Sequence, residues 1–365
     1  MPFSVLHTEW SDGWGGQERR IVAEMLGMMR RGHRLLLVTR PDCRIGAEAR
    51  TLGIPVELLP FRGKFDPTTI RGIARLARRD EYAIVNTHSG VDSWAGGLAA
   101  KLAGVKLVRT RHLNLPLKRR WLNFVHYLPD ALVTCGEEVR RNLVDNCGFP
   151  AGQVVSIPTG IDFGAFRPRH ERAATRQALG FADGEFIVLM VGVIRAVKRH
   201  EVALRALAAL QERLPNARLV LAGDGPMRGD MEALAVQLGL GAKVSFLGHR
   251  EDVPDLMNAA DCLLLTSRSE GVPQAVTQAL GLGLPVVATR VGGVPELIDD
   301  GRTGLLVPAE NADAVAAALA RLAADPALAR QLGAQGRDHV LAHFSAEAML
   351  DATEALYARL LESRS

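Results

Sequence analysis

The sequence predicts an α/β protein with two doubly wound parallel sheets, one in each half of the chain. Short apolar runs of strand length alternate with longer stretches of helical apolar spacing in both halves. A turn at Pro158 to Asp162 ends the first half, and the chain leaves that half at Phe166 to Pro168. A length of 365 residues exceeds what one compact core accommodates. We therefore expect one domain at 1–167, a second at 168–345 and a helical stretch at 346–365.

The amino half shows the alternation from its first residues. Helices are predicted after Glu18 through Arg31, in a basic stretch that ends at Arg79, from Trp94 to Leu102 and from Glu137 to Cys147. Strands are predicted between them, at Phe3 to Leu6, Arg34 to Thr39, Ile54 to Leu59, Ile84 to Thr87, Lys106 to Arg109, Leu132 to Cys135 and Val154 to Ile157.

The carboxyl half repeats the pattern. Phe186 to Val193 is a nearly continuous apolar run, as expected of a strand buried on both faces. Helices are predicted from His200, at Asp252 to Asn258, after Pro273 and from Asp313 to the end. Further strands are predicted at Arg218 to Ala222, Val244 to Leu247, Asp261 to Thr266 and Pro285 to Ala288.

Candidate site residues follow several predicted strands of the amino half. Gly15 and Gly16 stand between the first strand and the first helix, where a tight turn lets the backbone approach a phosphate. His88 and His112 follow two later strands. Because ligands bind at the carboxyl ends of parallel strands, both histidines are candidates. The alternative for each is a structural histidine.

The stretch Ser267 to Thr289 carries the strongest site signal. A polar loop follows a strand and leads into an apolar helix, with Pro273 placed at the first helical position, which tolerates proline. Gly271 lets the backbone come close to a ligand, and a helix start attracts anions. Glu270 would repel a phosphate unless sugar hydroxyls lie between them. The alternative for this loop is an ordinary helix cap.

Two cations follow the strand that begins at Phe186. Arg195 and Lys198 stand three residues apart, just before a helix. Charged donors in such a place can clamp a phosphate. The alternative is a pair of solvated cations in a loop.

Composition indicates a reducing compartment. The four cysteines are scattered without paired spacing, which favours free thiols. The first ten residues lack the basic and apolar segments of a secretory signal. The longest uncharged run, Gly271 to Thr289, contains prolines and glycines that argue against a membrane span. We expect a cytoplasmic protein.

One basic segment could place the protein peripherally at the inner face of the cell membrane. Lys118, Arg119 and Arg120 precede Trp121, and further aromatic residues follow at a spacing of three. Such a helix suits an anionic lipid surface. A partly buried helix with a solvated basic edge explains the same pattern.

The loop after residue 266 resembles the signature of the retaining GT-B glycosyltransferases of family 4. Glu270, Gly271 and Pro273 match its E-G-x-P motif, in which a second acid follows after four further residues. Gln278 holds that position here. In the family this acid binds the ribose hydroxyls of the nucleotide, and a glutamine can still accept and donate hydrogen bonds without the charge.

Two other segments support the resemblance. Arg195 and Lys198 resemble the cations of the family's G-R-x-x-x-x-K segment, which hold the donor diphosphate, although their spacing is shorter. Gly15, Gly16 and Glu18 are similar to its G-G-x-E turn.

The resemblance implies two Rossmann-like domains facing a cleft, with the last helix crossing back onto the first domain. It implies transfer of a sugar, with retention of configuration, from a nucleoside-diphosphate donor to a glycan or lipid-linked acceptor. The catalytic residues it implies are His112, Arg195, Lys198 and Glu270. The donor-binding residues it implies are Gly15, Gly16, His88, Gly223, His249, Arg250, Gly271, Val272, Pro273 and Gln278.

The same resemblance sets expectations about cofactors and partners. The sequence contains no D-x-D motif, so we expect no metal bridge to the diphosphate. We also expect no other cofactor and no nucleic-acid partner. His7, Thr8 and Glu9, read with the Gly15 turn, are similar to transferases of bacterial lipopolysaccharide or envelope glycans. A non-catalytic nucleotide-sugar-binding protein, motivated by Gln278, and an epimerase of the same fold are the alternatives.

Overall fold

Two compact units make up the protein. The structure is a computed structural model that describes residues 2–112 and 121–362, without the side chains of Trp121 and Leu122. Unit 1 comprises residues 1–160 and 346–365, and unit 2 comprises 161–345. The chain passes into unit 2 at Ile161 rather than after residue 167, because Phe163 and Phe166 pack against the unit 2 core.

Within the described residues of unit 1, seven parallel strands form one sheet in the order β3-β2-β1-β4-β5-β6-β7. The connections turn to opposite sides at β1 and β4, which is where doubly wound sheets bind ligands. The strands are β1 (Ser4–Glu9), β2 (Arg34–Thr39), β3 (Val56–Leu58), β4 (Ile84–Thr87), β5 (Lys106–Arg111), β6 (Ala131–Thr134) and β7 (Val154–Ser156).

Apolar helical faces cover both sides of this sheet. The helices are α1 (Gly16–Arg30), α2 (Arg44–Thr51), α3 (Pro67–Arg79), α4 (Asp92–Ala103) and α5 (Glu137–Arg141). The predicted elements did not include α2. After α5 the chain continues as a π-helical turn over Asn142–Asn146, and two short 3-10 turns joined by a kink at Asn123 span Trp121–Tyr127.

β1 is longer than the sequence predicted. The apolar run ends at Leu6, but His7, Thr8 and Glu9 continue the strand as fully buried polar residues. Hydrophobicity alone could not place them in a strand, because their burial depends on hydrogen bonds made elsewhere in unit 1.

Unit 2, which is described throughout, repeats the architecture with six parallel strands in the order β10-β9-β8-β11-β12-β13. The strands are β8 (Phe186–Val191), β9 (Ala217–Ala222), β10 (Val244–Gly248), β11 (Cys262–Leu265), β12 (Val286–Thr289) and β13 (Leu305–Val307). The helices are α6 (Arg172–Ala178), α7 (His200–Leu210), α8 (Arg228–Gln237), α9 (Val253–Ala259), α10 (Gln274–Gly281), α11 (Val294–Leu297), α12 (Ala312–Ala324) and α13 (Pro326–His343).

Pro273 differs from its predicted place by one position. It is the N-cap of α10, with an extended ψ of 115°, and Gln274 is the first helical residue. The N-cap takes extended backbone angles, and proline fits them as readily as it fits the first turn.

The last helix, α14 (Ala346–Glu362), returns to unit 1. Its buried face packs with α1 in the same core. The hydroxyl of Tyr357 accepts a hydrogen bond from Asn86 at 3.1 Å and donates to Glu24 at 3.4 Å. The predicted α/β fold with two doubly wound sheets and a returning helix is confirmed.

Within the described part of the chain, no helix is both long enough and apolar enough to cross a membrane.

Candidate functional site

In unit 2 a lysine and a glutamate meet at the carboxyl edge of the sheet. Connections diverge at the neighbouring strands β8 and β11, so the loops after these strands flank a crevice. Lys198 Nζ lies 2.7 Å from Glu270 Oε1, and the side chains are 19% and 12% exposed. The Ser267 hydroxyl donates to the same oxygen. The pair sets a cation suited to phosphate beside an acceptor suited to sugar hydroxyls.

Hydrogen bonds hold the two loops together. Thr266 Oγ1 donates to the carbonyl oxygens of Lys198 and Arg199, each at 2.9 Å. The Arg268 amide donates to Val197 O at 2.9 Å. Because backbone and side-chain bonds cross between the loops, the relative position of Lys198 and Glu270 is fixed before any ligand binds.

Two glycines allow close approach of backbone to these loops. A Cβ on Gly223 would lie 1.9 Å from Gly192 O, and the φ of 158° at Gly223 itself favours glycine. A Cβ on Gly293 would lie 2.5 Å from Gly271 O, which accepts a hydrogen bond from the Gly293 amide. Gly223, predicted to bind the donor, therefore supports the Gly192 backbone.

The remaining predicted residues of the Lys198 loop and α10 surround this pair. Arg195 is exposed, and its side chain forms no ion pair with the described residues. Val272 is half-buried and Pro273 is buried. Gln278 is a half-buried residue of α10, and its side chain makes no hydrogen bond within the described residues.

The predicted base-contacting residues lie after β10. His249 is exposed, whereas Arg250 is committed to Asp252 through two bonds, at 2.8 Å and 2.5 Å. This contact lowers the pKa of the Asp252 carboxyl. A ligand of Arg250 must compete with that carboxylate.

In unit 1 the glycine turn begins α1. Gly15 is the N-cap of this 15-residue helix, and its amide donates to Glu18 Oε2 at 2.8 Å. Glu18 is buried, while Gly15 and Gly16 are exposed. The acid of the G-G-x-E turn thus acts as a capping residue, and the exposed helix start remains available to an anion.

Three histidines and a cysteine form a chain across four neighbouring strands of unit 1. His7 Nδ1 lies 2.9 Å from His88 Nε2, and His88 Nδ1 lies 3.2 Å from His112 Nε2. His112 Nδ1 lies 3.5 Å from Cys135 Sγ. These residues lie at the ends of β1, β4, β5 and β6 on one face of the sheet. The predicted pair His88 and His112 is therefore in direct contact.

Burial keeps these imidazoles neutral. It lowers the pKa of His7 to about 3. Burial also holds the pKa values of His88 and His112 well below their usual value, and the charge of Arg20 lowers both further. A neutral imidazole has one donor and one acceptor nitrogen.

The direction of the hydrogen bonds along this histidine chain follows from the cysteine. Cys135 Sγ donates to Arg111 O at 3.2 Å, so His112 Nδ1 donates to the sulfur, and each preceding imidazole donates from Nδ1. His7 Nε2 then ends the chain as a buried acceptor without a partner in the described residues. Both nitrogens of His112 are engaged, so His112 can line a bound sugar but has no free donor for it.

A second polar group, Asp92 and Glu9, lies beside the histidine chain and was not predicted from the sequence. Asp92 accepts hydrogen bonds from Thr8 Oγ1 and from the amides of His88 and Ser89, at 2.7–2.8 Å, and so fastens the loop that carries His88. Burial, followed by the charge of Asp92, raises the pKa of Glu9 to about 8. The sequence does show polar residues where these strands end, but only the strand order reveals that they lie side by side.

The predicted site residues thus form two groups, one in each unit. The membrane prediction on Lys118, Arg119 and Arg120 lies outside the described residues, as does the side chain of Trp121.

Comparison with known families supports one assignment. Residues 14–164 match the model of Glycosyltransferase Family 4, and residues 171–339 match that of Glycosyl transferases group 1. The D-inositol 3-phosphate glycosyltransferase of Mycobacterium avium is 32% identical, over 95% of this chain and 89% of that protein. Its counterpart from Saccharomonospora viridis is 31% identical, over 89% of this chain and 85% of that protein.

Solved structures agree in fold. A glycosyltransferase from Rickettsia africae has a TM-score of 0.88 at 20% identity, covering 99% of both chains. HepE of Anabaena, solved with UDP, has a TM-score of 0.86 at 21% identity, covering 98% of this chain and 100% of that one. With its amino-terminal and carboxyl-terminal parts each matched by a glycosyltransferase model and its relatives aligned nearly end to end, the chain belongs to the family 4 glycosyltransferases.

Proposed function

We propose that this glycosyltransferase moves a sugar from a nucleoside-diphosphate donor to a glycan or lipid-linked acceptor, with retention and without a metal ion. The contact of 2.7 Å between Lys198 and Glu270 is the observation that carries the proposal. It joins a cation for the leaving diphosphate to a carboxylate for the hydroxyls of the sugar. The proposed donor is a UDP-sugar, supported by structures of the fold-related HepE solved with UDP and with UDP-glucose.

The proposed reaction needs no protein nucleophile. The bond between the anomeric carbon and the diphosphate oxygen breaks while the acceptor oxygen bonds to the same face of that carbon. The acceptor proton passes to the leaving phosphate oxygen. Lys198 and Arg195 stabilise the charge that develops on the diphosphate, and preorganised charge of this kind is most effective in the transition state. Glu270 accepts from the sugar hydroxyls, and His112 lines the sugar.

Envelope-glycan synthesis at the membrane is the proposed setting. The motif His7-Thr8-Glu9 supports it, and one fold-related structure is the lipopolysaccharide outer core galactosyltransferase WaaB, with a TM-score of 0.77 at 16% identity. Co-sedimentation with anionic liposomes tests the proposed contact through Lys118 to Trp121. Binding that fails at every salt concentration rejects that contact.

Release of free nucleoside diphosphate tests the central proposal. The chelator-treated protein is incubated with UDP-, GDP- and ADP-sugars, and proton NMR follows the donor and product anomeric signals. We expect nucleoside diphosphate release from one donor, a product of unchanged anomeric configuration, and activity that persists with chelator. Binding without release supports a sensor instead, and a changed nucleotide sugar without an acceptor supports an epimerase. Arg302→Ala, at an exposed cation of unit 2, is the control for Lys198→Ala.

A further inference from the structure

Two buried arginines lie on the face of β5 opposite to the histidine chain. Arg109 and Arg111 are 6% and 7% exposed. Thr110, between them, points to the other face, where it donates to Asn86 Oδ1 at 3.0 Å. Arginine is rarely buried to this degree unless a carboxylate or phosphate accompanies it.

Among the described residues no carboxylate pairs with Arg109. Its guanidinium donates to Nδ1 of His126, and its Nε has no acceptor within the described chain. Asp92 acts on this arginine only at longer range. Residues 113–120, which follow β5, have the sequence LNLPLKRR and contain no acid. The charge of Arg109 is therefore not neutralised by an ion pair with a described residue, nor by an acid from that segment.

Further positive charge surrounds this arginine. Burial and the neighbouring Arg111 lower the pKa of Arg109 to about 10, so the side chain stays charged at neutral pH. Burial, followed by the charges of Arg109, Arg111 and Lys64, lowers the pKa of His126 to about 3. His126 is thus a neutral acceptor among three cations.

An aromatic surface adjoins the cations. Trp94 is buried, and two exposed phenylalanines contact its ring edge to face: Phe65, with centroids 4.9 Å apart, and Phe124, at 5.6 Å. They are 62% and 45% exposed. Lys64 Nζ lies 5.8 Å from the Trp94 ring centroid. Exposed apolar side chains grouped beside unneutralised charge mark a binding surface rather than a solvated one.

We propose that Arg109 binds a phosphate group carried by the acceptor, and that Phe65 and Phe124 contact the part of the acceptor that carries the phosphate. A phosphate monoester is an anion that a guanidinium group can neutralise, and the planar fork of the guanidinium suits its oxygens. That the phosphate belongs to the acceptor rests on the proposed function. The binding of phosphate by unit 1 does not.

Thermal unfolding of the full chain tests the inference, with saturating UDP added to fill the proposed donor site. The probes are inorganic phosphate and glucose 6-phosphate, with glucose as the uncharged comparison. We expect both phosphates to raise the melting temperature of the wild type, and Arg109→Met to weaken their binding by about 10- to 100-fold, as for the loss of a charged hydrogen-bond partner. Arg109→Lys retains part of the effect. Arg44→Met removes an exposed arginine of α2 and leaves the effect intact.

A structural role for Arg109 gives a different result. Replacing a buried charge that has no counter-ion by an apolar side chain leaves the melting temperature of the unliganded protein unchanged or higher, whereas loss of a structural arginine lowers it. If Arg109→Met does not fold, Arg109→Gln, which keeps hydrogen-bond donors but removes the charge, provides the same phosphate test.

Vesicles containing phosphatidic acid separate the two sources of phosphate. Binding to vesicles that Arg109→Met loses, without a response to soluble phosphates, supports the inference and places the phosphate on a lipid. The inference is overturned if the wild type responds to neither source, if Arg109→Met responds like the wild type, or if Arg44→Met loses as much. A wild type that binds phosphate but releases no nucleotide rejects the proposed function alone.

Discussion

Separate replacements of Lys198 and Glu270 distinguish the cation that holds the diphosphate from the carboxylate that holds the sugar. At 2.7 Å the two charges attract each other by about 6 kcal/mol at an effective dielectric constant of about 20, before desolvation is counted. The side chains are largely buried, so solvent screens this attraction only in part. In the unliganded protein each group is therefore partly satisfied by the other.

Lys198→Ala removes the proposed charge partner of the leaving group. We expect kcat/KM to fall by about 10²- to 10³-fold, equivalent to about 3–4 kcal/mol of transition-state stabilisation. Affinity for the nucleoside diphosphate alone falls by about tenfold, because the ammonium contacts that product as well.

Glu270→Gln has the opposite effect on the nucleotide. The amide keeps the shape but releases Lys198, so nucleoside diphosphate binds as tightly as before or about fivefold tighter, corresponding to about 1 kcal/mol from a lost competitor. Turnover still falls by about 10²-fold, because a neutral amide accepts more weakly from the sugar hydroxyls. Calorimetric titration and a nucleotide-release assay measure the two effects, with Arg302→Ala as control. Equal loss of nucleotide affinity in both variants, or near-normal turnover in Lys198→Ala, refutes this division of roles.

Three further predictions concern stability. Gly223→Ala destabilises unit 2 by about 2–4 kcal/mol in urea unfolding, because the added Cβ meets Gly192 O. The control Gly229→Ala, at a position of α8 where a Cβ meets no other atom, stabilises by about 0.5–1 kcal/mol, and a similarly small effect at Gly223 contradicts the predicted clash. The free energy of unfolding falls as pH drops from 6.5 toward 3, because His7 takes up a proton only on unfolding. His7→Asn reduces the slope of this free energy against pH by about 1.4 kcal/mol per pH unit, and an unchanged slope contradicts the prediction. Burial raises the pKa of Glu9 to about 8 in the folded protein, so its contribution to the free energy of unfolding is lost as pH rises from 4.5 to 8. Glu9→Gln removes that loss, and a variant with the same pH dependence as the wild type contradicts the prediction.

The fold was predictable because hydrophobic periodicity reports burial directly. β8 and its neighbours appear in the sequence as apolar runs, and the loops after them carry the cations and carboxylate of a ligand site. Lys198 and Glu270 were both foreseen, but their contact was not, since 72 residues separate them and strand order decides which loops become neighbours.

The histidine chain shows the limit of the sequence more clearly. His88 and His112 were foreseen as isolated residues at strand ends. Contact with His7 was not predicted, because a strand end made of buried polar residues has no hydrophobic signature. Contact with Cys135 was not predicted either, because a single free cysteine has no spacing pattern to mark it. Once β1, β4, β5 and β6 are known to be neighbours, the four residues become adjacent positions on one face.

The return of α14 has a consequence for how the protein is made. Met349, Leu350 and Tyr357 complete the core around α1, yet a ribosome adds them after every residue of unit 2. Unit 2 has its whole sequence first, so the nascent chain can finish the later unit while the earlier one waits with an open apolar face. Premature termination near residue 345 thus damages the half of the protein that was translated first.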